Sequence, residues 1–318
     1  MVASPPASVS SPWYEWMDVG ERFVPYEPGY VHKFQRAVMH LNAITYEVGD
    51  FITAGLHTAI EGEPEAEDGW VILRPGPVKP LPGAWPLYLG DFLTNARASL
   101  DYLVYELVRA NQHDPGNHTQ FPICETPGKW RDDITERDTN RGPAPTTGLS
   151  EEAFAIIHEH QPLRHRSDNA RKSDPLMHLL RMSNADKHRT LHVAAIYTGR
   201  VLKVWAVPEG IVDILRVKPA AISGPIEGER EVARIKVRVV PGADPDANVY
   251  FGYQRLAQIT FSGPGETRTA TLEDLFGIIN SIMEIGDRLE GHTGSKSTWF
   301  ADLRRRLREG HIQHGRVS

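Results

Sequence analysis

Cysteine is all but missing from this chain: Cys124 is the single one among 318 residues. Without a second thiol no intrachain disulfide can form, and zinc sites built on Cys-x-x-Cys pairs are excluded. No apolar run approaches the roughly 20 residues that a membrane-spanning helix requires. The opening residues, MVASPPASVSSPWYEW, lack both the basic and the apolar region of a secretion signal. A cytoplasmic protein with no membrane partner is the resulting expectation. Net positive charge is missing too, because 35 Lys and Arg against 41 Asp and Glu leave a formal charge of −6. That argues against a chain that binds nucleic acid by its overall field, while leaving room for a local basic groove. There is no Walker or dinucleotide fingerprint, no G-x-S-x-G elbow and no internal repeat.

What is present is a sequence long enough for a real core, 40% hydrophobic and 24% charged. Its most regular stretch is LYLGDFLTNARASLDYLVYELVRA, residues 87–110. At 100° per residue Leu89, Phe92, Leu93, Ala96, Leu100, Leu103, Val104 and Leu107 form one apolar stripe. Asp91, Asn95, Ser99, Tyr102, Glu106 and Arg109 fall opposite. Arg97 and Asp101 stand at the edge of the stripe, one turn apart, where a charged pair is either a half-buried bridge or part of a site.

Around this helix the chain reads in order. Residues 1–12 are too rich in Pro, Ser and Ala to hold a fold. Residues 31–46 share an apolar face as a helix, and 51–58 and 70–74 read as strands. Residues 111–148 form a long irregular region, anchored at Phe121-Pro122-Ile123, of the kind that tends to be functional. Ser150 caps a helix to about His160, and Asp174 with Pro175 opens another. From Thr190 the pattern turns β-like, with a turn at Gly199-Arg200 and further strands at 211–217, 231–240 and 249–261. Thr271 with Asp274 then opens a closing helix. The expected class is α+β, a helical core with an antiparallel sheet. Its single domain spans 13–290: helical to about 189, mainly β over 190–262, a closing helix over 271–289, then a basic tail over 291–318.

Three constellations carry chemistry. The first joins Arg97 and Asp101 to the polar end of the later helix, Asn184, Asp186, Lys187, His188 and Arg189, with Asn95 alongside. If the helices pack side by side, Arg and Lys would hold a phosphate or carboxylate, and His188 could serve as acid or base near neutral pH. The competing reading is a salt-bridge network that only ties two helices together. The second is a histidine cluster, His158, His160, His165, His178, His188 and His192. His188 and His192 share a helix face, but Arg189 stands where an HExxH motif has its glutamate, so neither metal nor other cofactor is expected. The third is a basic surface, Arg164, Arg166, Arg171, Lys172, Arg181, Lys187 and Arg189, with Arg304, Arg305, Arg306 and Arg308 near the end; the competing reading, which the overall acidity favours, is ordinary solvated charge.

The pair of segments DFLTNARASLDYLVYEL and SNADKHRTLH resembles a widespread group of bacterial proteins with no assigned reaction. The helix is also similar to the HEPN class of helical ribonucleases and toxins, which use an Arg followed four to six residues later by a His. Arg97 matches that Arg; five residues on stands Tyr102, and the next histidine is His113. The resemblance therefore implies that a base would have to come from another helix, as His188. Taken together, the expected function is binding and hydrolysis of a phosphate-containing ligand, RNA or a phosphorylated small molecule. The enzyme would be a metal-independent ribonuclease or phosphoesterase-like hydrolase, with Arg97, Asp101, Asp186, Lys187 and His188 catalytic and Asn95, Asn184 and Arg189 binding. The alternative is a non-enzymatic interaction or regulatory protein.

Overall fold

The computed structural model describes residues 27–54, 64–65, 70–73, 83–137, 139–188, 192–207, 212–219, 224–225, 233–239, 248–263, 266–294 and 297–305. Two 26-residue helices lie at its centre, α1 (Gly29–Ala54) and α2 (Trp85–Ala110). Gly29 meets the Tyr102 ring and His40 meets Tyr88, so the two run antiparallel. Phe92, Leu93, Ala96, Leu100 and Val104 on α2 are fully enclosed, against Val31, Phe34 and Ala37 on α1 among others. Each such Val, Leu or Phe side chain contributes about 1.5–3 kcal/mol relative to exposure. The expected strand at 51–58 gives way over residues 51–54 to the last turn of α1. Local β propensity there yields to an uninterrupted helical hydrogen-bond ladder. Residues 55–58 lie outside the described set.

The helical body is completed by α3 (Pro127–Trp130), α4 (Glu151–Glu159), α5 (Asp168–Lys172), α6 (Pro175–His188) and α7 (Leu272–Leu289). Their starts follow local chemistry. Ser150 accepts from the Ala153 amide, Asp174 Oδ1 accepts from the Leu176 amide, and Thr271 forms a capping box with Asp274. Both α6 and α7 pack on α2 and on one another.

The strands form two antiparallel four-stranded sheets rather than one. The first runs β1 (Pro64–Glu65), β2 (Trp70–Leu73), β6 (Ala233–Val239), β4 (Val212–Pro219); the second runs β5 (Gly224–Pro225), β3 (His192–Val207), β7 (Asn248–Gly263), β8 (Glu266–Thr271). The chain is α+β. The turn expected at Gly199-Arg200 is instead a shift of register inside one 16-residue strand, between Tyr197 and Val201. A glycine inside a strand commonly marks such a bulge. Ile259 of β7 and Ala270 of β8 enter the helical core.

Part of the segment expected as a basic tail over 291–318 is described and packs on the body. A helix over 299–305, α8, docks on the body, with Phe300 and Leu303 buried. Phe300 lies 6.0 Å from the Tyr30 ring and 5.1 Å from Phe34. Glu290, 2% exposed, accepts from the Phe300 amide, from Ser297 Oγ and from the Tyr30 hydroxyl, which satisfies its charge where it is buried. Two aromatic contacts and a capped helix start hold it there despite its basic composition. Residues 306–318 lie outside the described set, as do 1–26. Among the described residues no helix is long and apolar enough to cross a membrane.

Candidate functional site

Arg97 and Asp101 do form a pair, and its first task is to hold the long irregular segment. The guanidinium reaches Asp101 with Nη2 at 3.1 Å and Nε at 3.3 Å. The same Nη2 donates to the Phe121 carbonyl at 2.6 Å, and Asp101 Oδ1 accepts from the Phe121 amide at 2.9 Å. One ion pair thus grips both polar groups of a single residue 20 positions downstream. Phe121 itself is fully buried. On the far side Gln161 completes the clamp: its amide donates to the Pro122 carbonyl and its carbonyl accepts from the Cys124 amide, each at 2.9 Å. Residues 121–124 therefore form a fixed wall.

Between this wall, α2 and α6 lies a cleft of about 440 Å³. α6 contributes Leu180, Ser183, Asn184 and Lys187; the wall contributes Gln120 and Phe121 through Cys124; a π-helical turn, Arg131–Thr135, contributes Asp133 and Ile134. Such turns are rare and recur beside functional sites. Successive helical residues are about 100° apart, so Ser183 and Lys187, one turn apart, share a face with Asn184 at its flank. The two helices meet as the sequence suggested, although among the described residues no charged hydrogen bond joins α2 directly to α6. Arg181 of α6 instead pairs with Glu125, the residue that follows the wall, at 2.7 Å.

The polar groups of the cleft are unevenly used. Asp101 is taken by Arg97 and Phe121, and Asp133 by Arg141 at 3.1 Å. Arg137 spends its guanidinium on the carbonyls of Asp133, Arg141 and Gly142, closing that lobe on itself while keeping its charge. By contrast Arg97 Nη1 and Ser183 Oγ are enclosed and find no hydrogen-bond partner among the described residues. Ser183 is only 7% exposed, whereas Asn184 and Lys187 are open to solvent at the rim. Burial pushes the Cys124 thiol up to about 11, with Asp133 adding to the effect, so Cys124 is apolar lining rather than a nucleophile.

Several expected site residues are elsewhere. Asn95 is 7% exposed within the helical packing and donates to the Asp91 carbonyl at 2.8 Å, so it does not reach the cleft. Ser99, also expected on the outer face, is buried and donates to the Ala96 carbonyl. Both positions are covered because α2 is packed by α1 on one side and by α6 and α7 on others, leaving little of its surface free. Asp186 turns away from the cleft and lies against Gly90, where a Cβ would stand 3.0 Å from its carboxylate. Burial, and then the charge of Asp91, raise its pKa. The side chain of His188, the last residue of α6, and the whole of Arg189 lie outside the described residues.

The sequence reading missed Ser183, Asp133, Ile134 and Arg137. Ser183 could have been found from its i, i+4 relation to Lys187; the other three sit in a segment with no periodicity to read. Among the described residues no group of three or more His, Cys, Asp or Glu side chains could hold a metal ion. Of the histidines considered as ligands, His165 contacts Asp174 at 2.8 Å, His160 Nδ1 lies 3.0 Å from the Ile156 carbonyl, His178 lies 3.6 Å from Asp274, and His158 stacks near Trp130. No family model, no curated protein and no solved structure matches this chain.

Proposed function

We propose that the cleft between α2, α6 and the 121–124 wall binds a phosphate-bearing ligand. The observation that carries this is a surplus of exposed donors: Asn184 and Lys187 stand open on a cleft whose two carboxylates, Asp101 and Asp133, are already engaged. A site with spare N–H groups and an uncompensated cation suits an oxyanion. Its volume falls in the range of small-molecule sites, roughly 300–1,000 Å³. Hydrolysis belongs to the same reading through His188, which follows Lys187 at the end of α6 and would serve as the general base. The similarity to HEPN-class nucleases supports that role only through Arg97.

Calorimetric titration with inorganic phosphate and with nucleotides tests the binding: wild type should take up about one ligand per chain, and Lys187→Ala should weaken it. Absence of any such binding by the wild type would refute the proposal. Hydrolysis is tested by incubating wild type and His188→Ala with single-stranded RNA and a chromogenic phosphoester, where losing a general base should cost on the order of 10²–10⁴ in rate. The scaffold reading has its own support in the grip of Arg97 and Asp101 on Phe121, which is a structural role whatever the cleft binds.

A further inference from the structure

Resting on the phosphate reading, we infer that the cleft takes a ligand carrying two phosphate groups, one held by Lys187 and the other by Arg137. Three cations line the cleft: Arg97 of α2, Lys187 of α6 and Arg137, just past the π-helical turn. Arg97 is paired with Asp101 at 3.1 Å. The other lining carboxylate, Asp133, pairs with Arg141 at 3.1 Å and not with Arg137. The Arg137 guanidinium reaches the Asp133 carbonyl instead, with Nη1 at 3.4 Å. Among the described residues Arg137 and Lys187 therefore have no carboxylate partner. Two positive charges from separate elements are left on one cleft, and each favours an anion placed beside it.

Arg137 is already ordered for such a contact. Its Nε donates to the Gly142 carbonyl at 3.0 Å and its Nη2 to the Arg141 carbonyl at 2.8 Å, beside the Nη1 bond to Asp133. A guanidinium carries one N–H on Nε and two on each Nη. One N–H on Nη1 and one on Nη2 are therefore uncommitted, enough for two oxygens of one phosphate. The three carbonyl bonds fix the group to its own lobe, so it cannot swing towards Lys187 without breaking them. Lys187 is exposed, a point charge on a flexible stem, with the exposed Asn184 adding a neutral donor one turn away. One phosphate bridging both cations is the competing arrangement, but a cleft of about 440 Å³ has room for far more than that. Two phosphates occur joined, as a diphosphate, or apart on one scaffold, as a nucleoside bisphosphate.

The test is calorimetric titration, free of divalent cations, which would themselves bind a diphosphate. Inorganic phosphate, pyrophosphate and adenosine 3′,5′-bisphosphate are compared on wild type, Arg137→Gln, Lys187→Gln and Arg166→Gln. Glutamine removes the charge and keeps amide donors, and circular dichroism melts check each fold. Arg166, exposed and outside the cleft lining, controls for the general effect of charge. On wild type at least one two-phosphate probe should bind about tenfold or more tightly than inorganic phosphate. Arg137→Gln and Lys187→Gln should each bring that ratio to within about twofold, and Arg166→Gln should leave it unchanged. Pyrophosphate as the tighter probe identifies a diphosphate, and the bisphosphate as the tighter one identifies separated phosphates; both support the two-point site. If Arg137→Gln fails to fold, Lys187→Gln decides: it should lose the preference yet still bind inorganic phosphate, at Arg137. Inorganic phosphate binding wild type as tightly as both other probes would overturn the inference, as would a folded Arg137→Gln with an unchanged ratio. Phosphate binding itself survives either result; failure of every probe removes the reading beneath it as well.

Discussion

Removing the carboxylate of Asp101 should loosen the 111–148 segment and lower stability by an amount that the geometry bounds. In Asp101→Ala the Phe121 amide loses its acceptor at 2.9 Å, in a residue with no solvent exposure to supply a replacement. An orphaned buried N–H costs about 1–3 kcal/mol. Arg97 also loses its partner, but the pair is 17% and 28% exposed, so screening by water limits that contribution to about 1 kcal/mol. The sum is about 2–4 kcal/mol, and at roughly 2 °C per kcal/mol for a large domain Tm should fall by about 4–8 °C. Asp101→Asn keeps an acceptor oxygen for the amide and should lose less than half as much. Differential scanning calorimetry on the two variants measures the difference, and limited proteolysis should show cleavage within 111–148 earlier in the alanine variant. An Asp101→Ala protein within about 0.5 kcal/mol of wild type, with the segment equally protected, would refute the clamp.

Asp186 gives a pH-dependent prediction. Burial and Asp91 hold its pKa above the ordinary 3.8, so the native state binds this proton more tightly than the unfolded chain does. Stability from that proton is complete below the ordinary carboxylate value and is lost as pH rises through the raised one. Asp186→Asn should therefore be the more stable protein at neutral pH, by less than about 1 kcal/mol for a half-exposed group, with the gain vanishing below about pH 4. Urea melts at pH 7 and pH 4 check this, and a variant less stable than wild type at pH 7 would contradict the assigned environment. Gly286→Ala tests the docking of α8: a Cβ there would fall 2.5 Å from the Phe300 ring. The overpacking should cost about 1–3 kcal/mol despite the better helix propensity of alanine, and Phe300→Leu in the same chain should recover part of it. A stabilised Gly286→Ala would show that Phe300 does not pack there.

What could be read from the sequence was local. The apolar stripe of α2, the i, i+4 pair of Arg97 and Asp101, and the caps at Ser150, Asp174 and Thr271–Asp274 each depend on residues within a few positions of one another, so spacing alone reveals them. The same holds for Asn184 and Lys187, which share a helix flank on any α-helix. Tertiary structure decided the rest. It buried Asn95 and Ser99 by packing helices around α2, turned Asp186 towards Gly90, and drew residues 297–305 into the core through Phe300. Above all it gave the Arg97–Asp101 pair its partner. The backbone of Phe121 carries no side-chain signature that could announce the contact, and only the folded chain brings its amide and carbonyl to the two charges. The cleft exists because of that contact, since its wall is the segment held there, and long-range contacts of this kind have no period to read in a sequence.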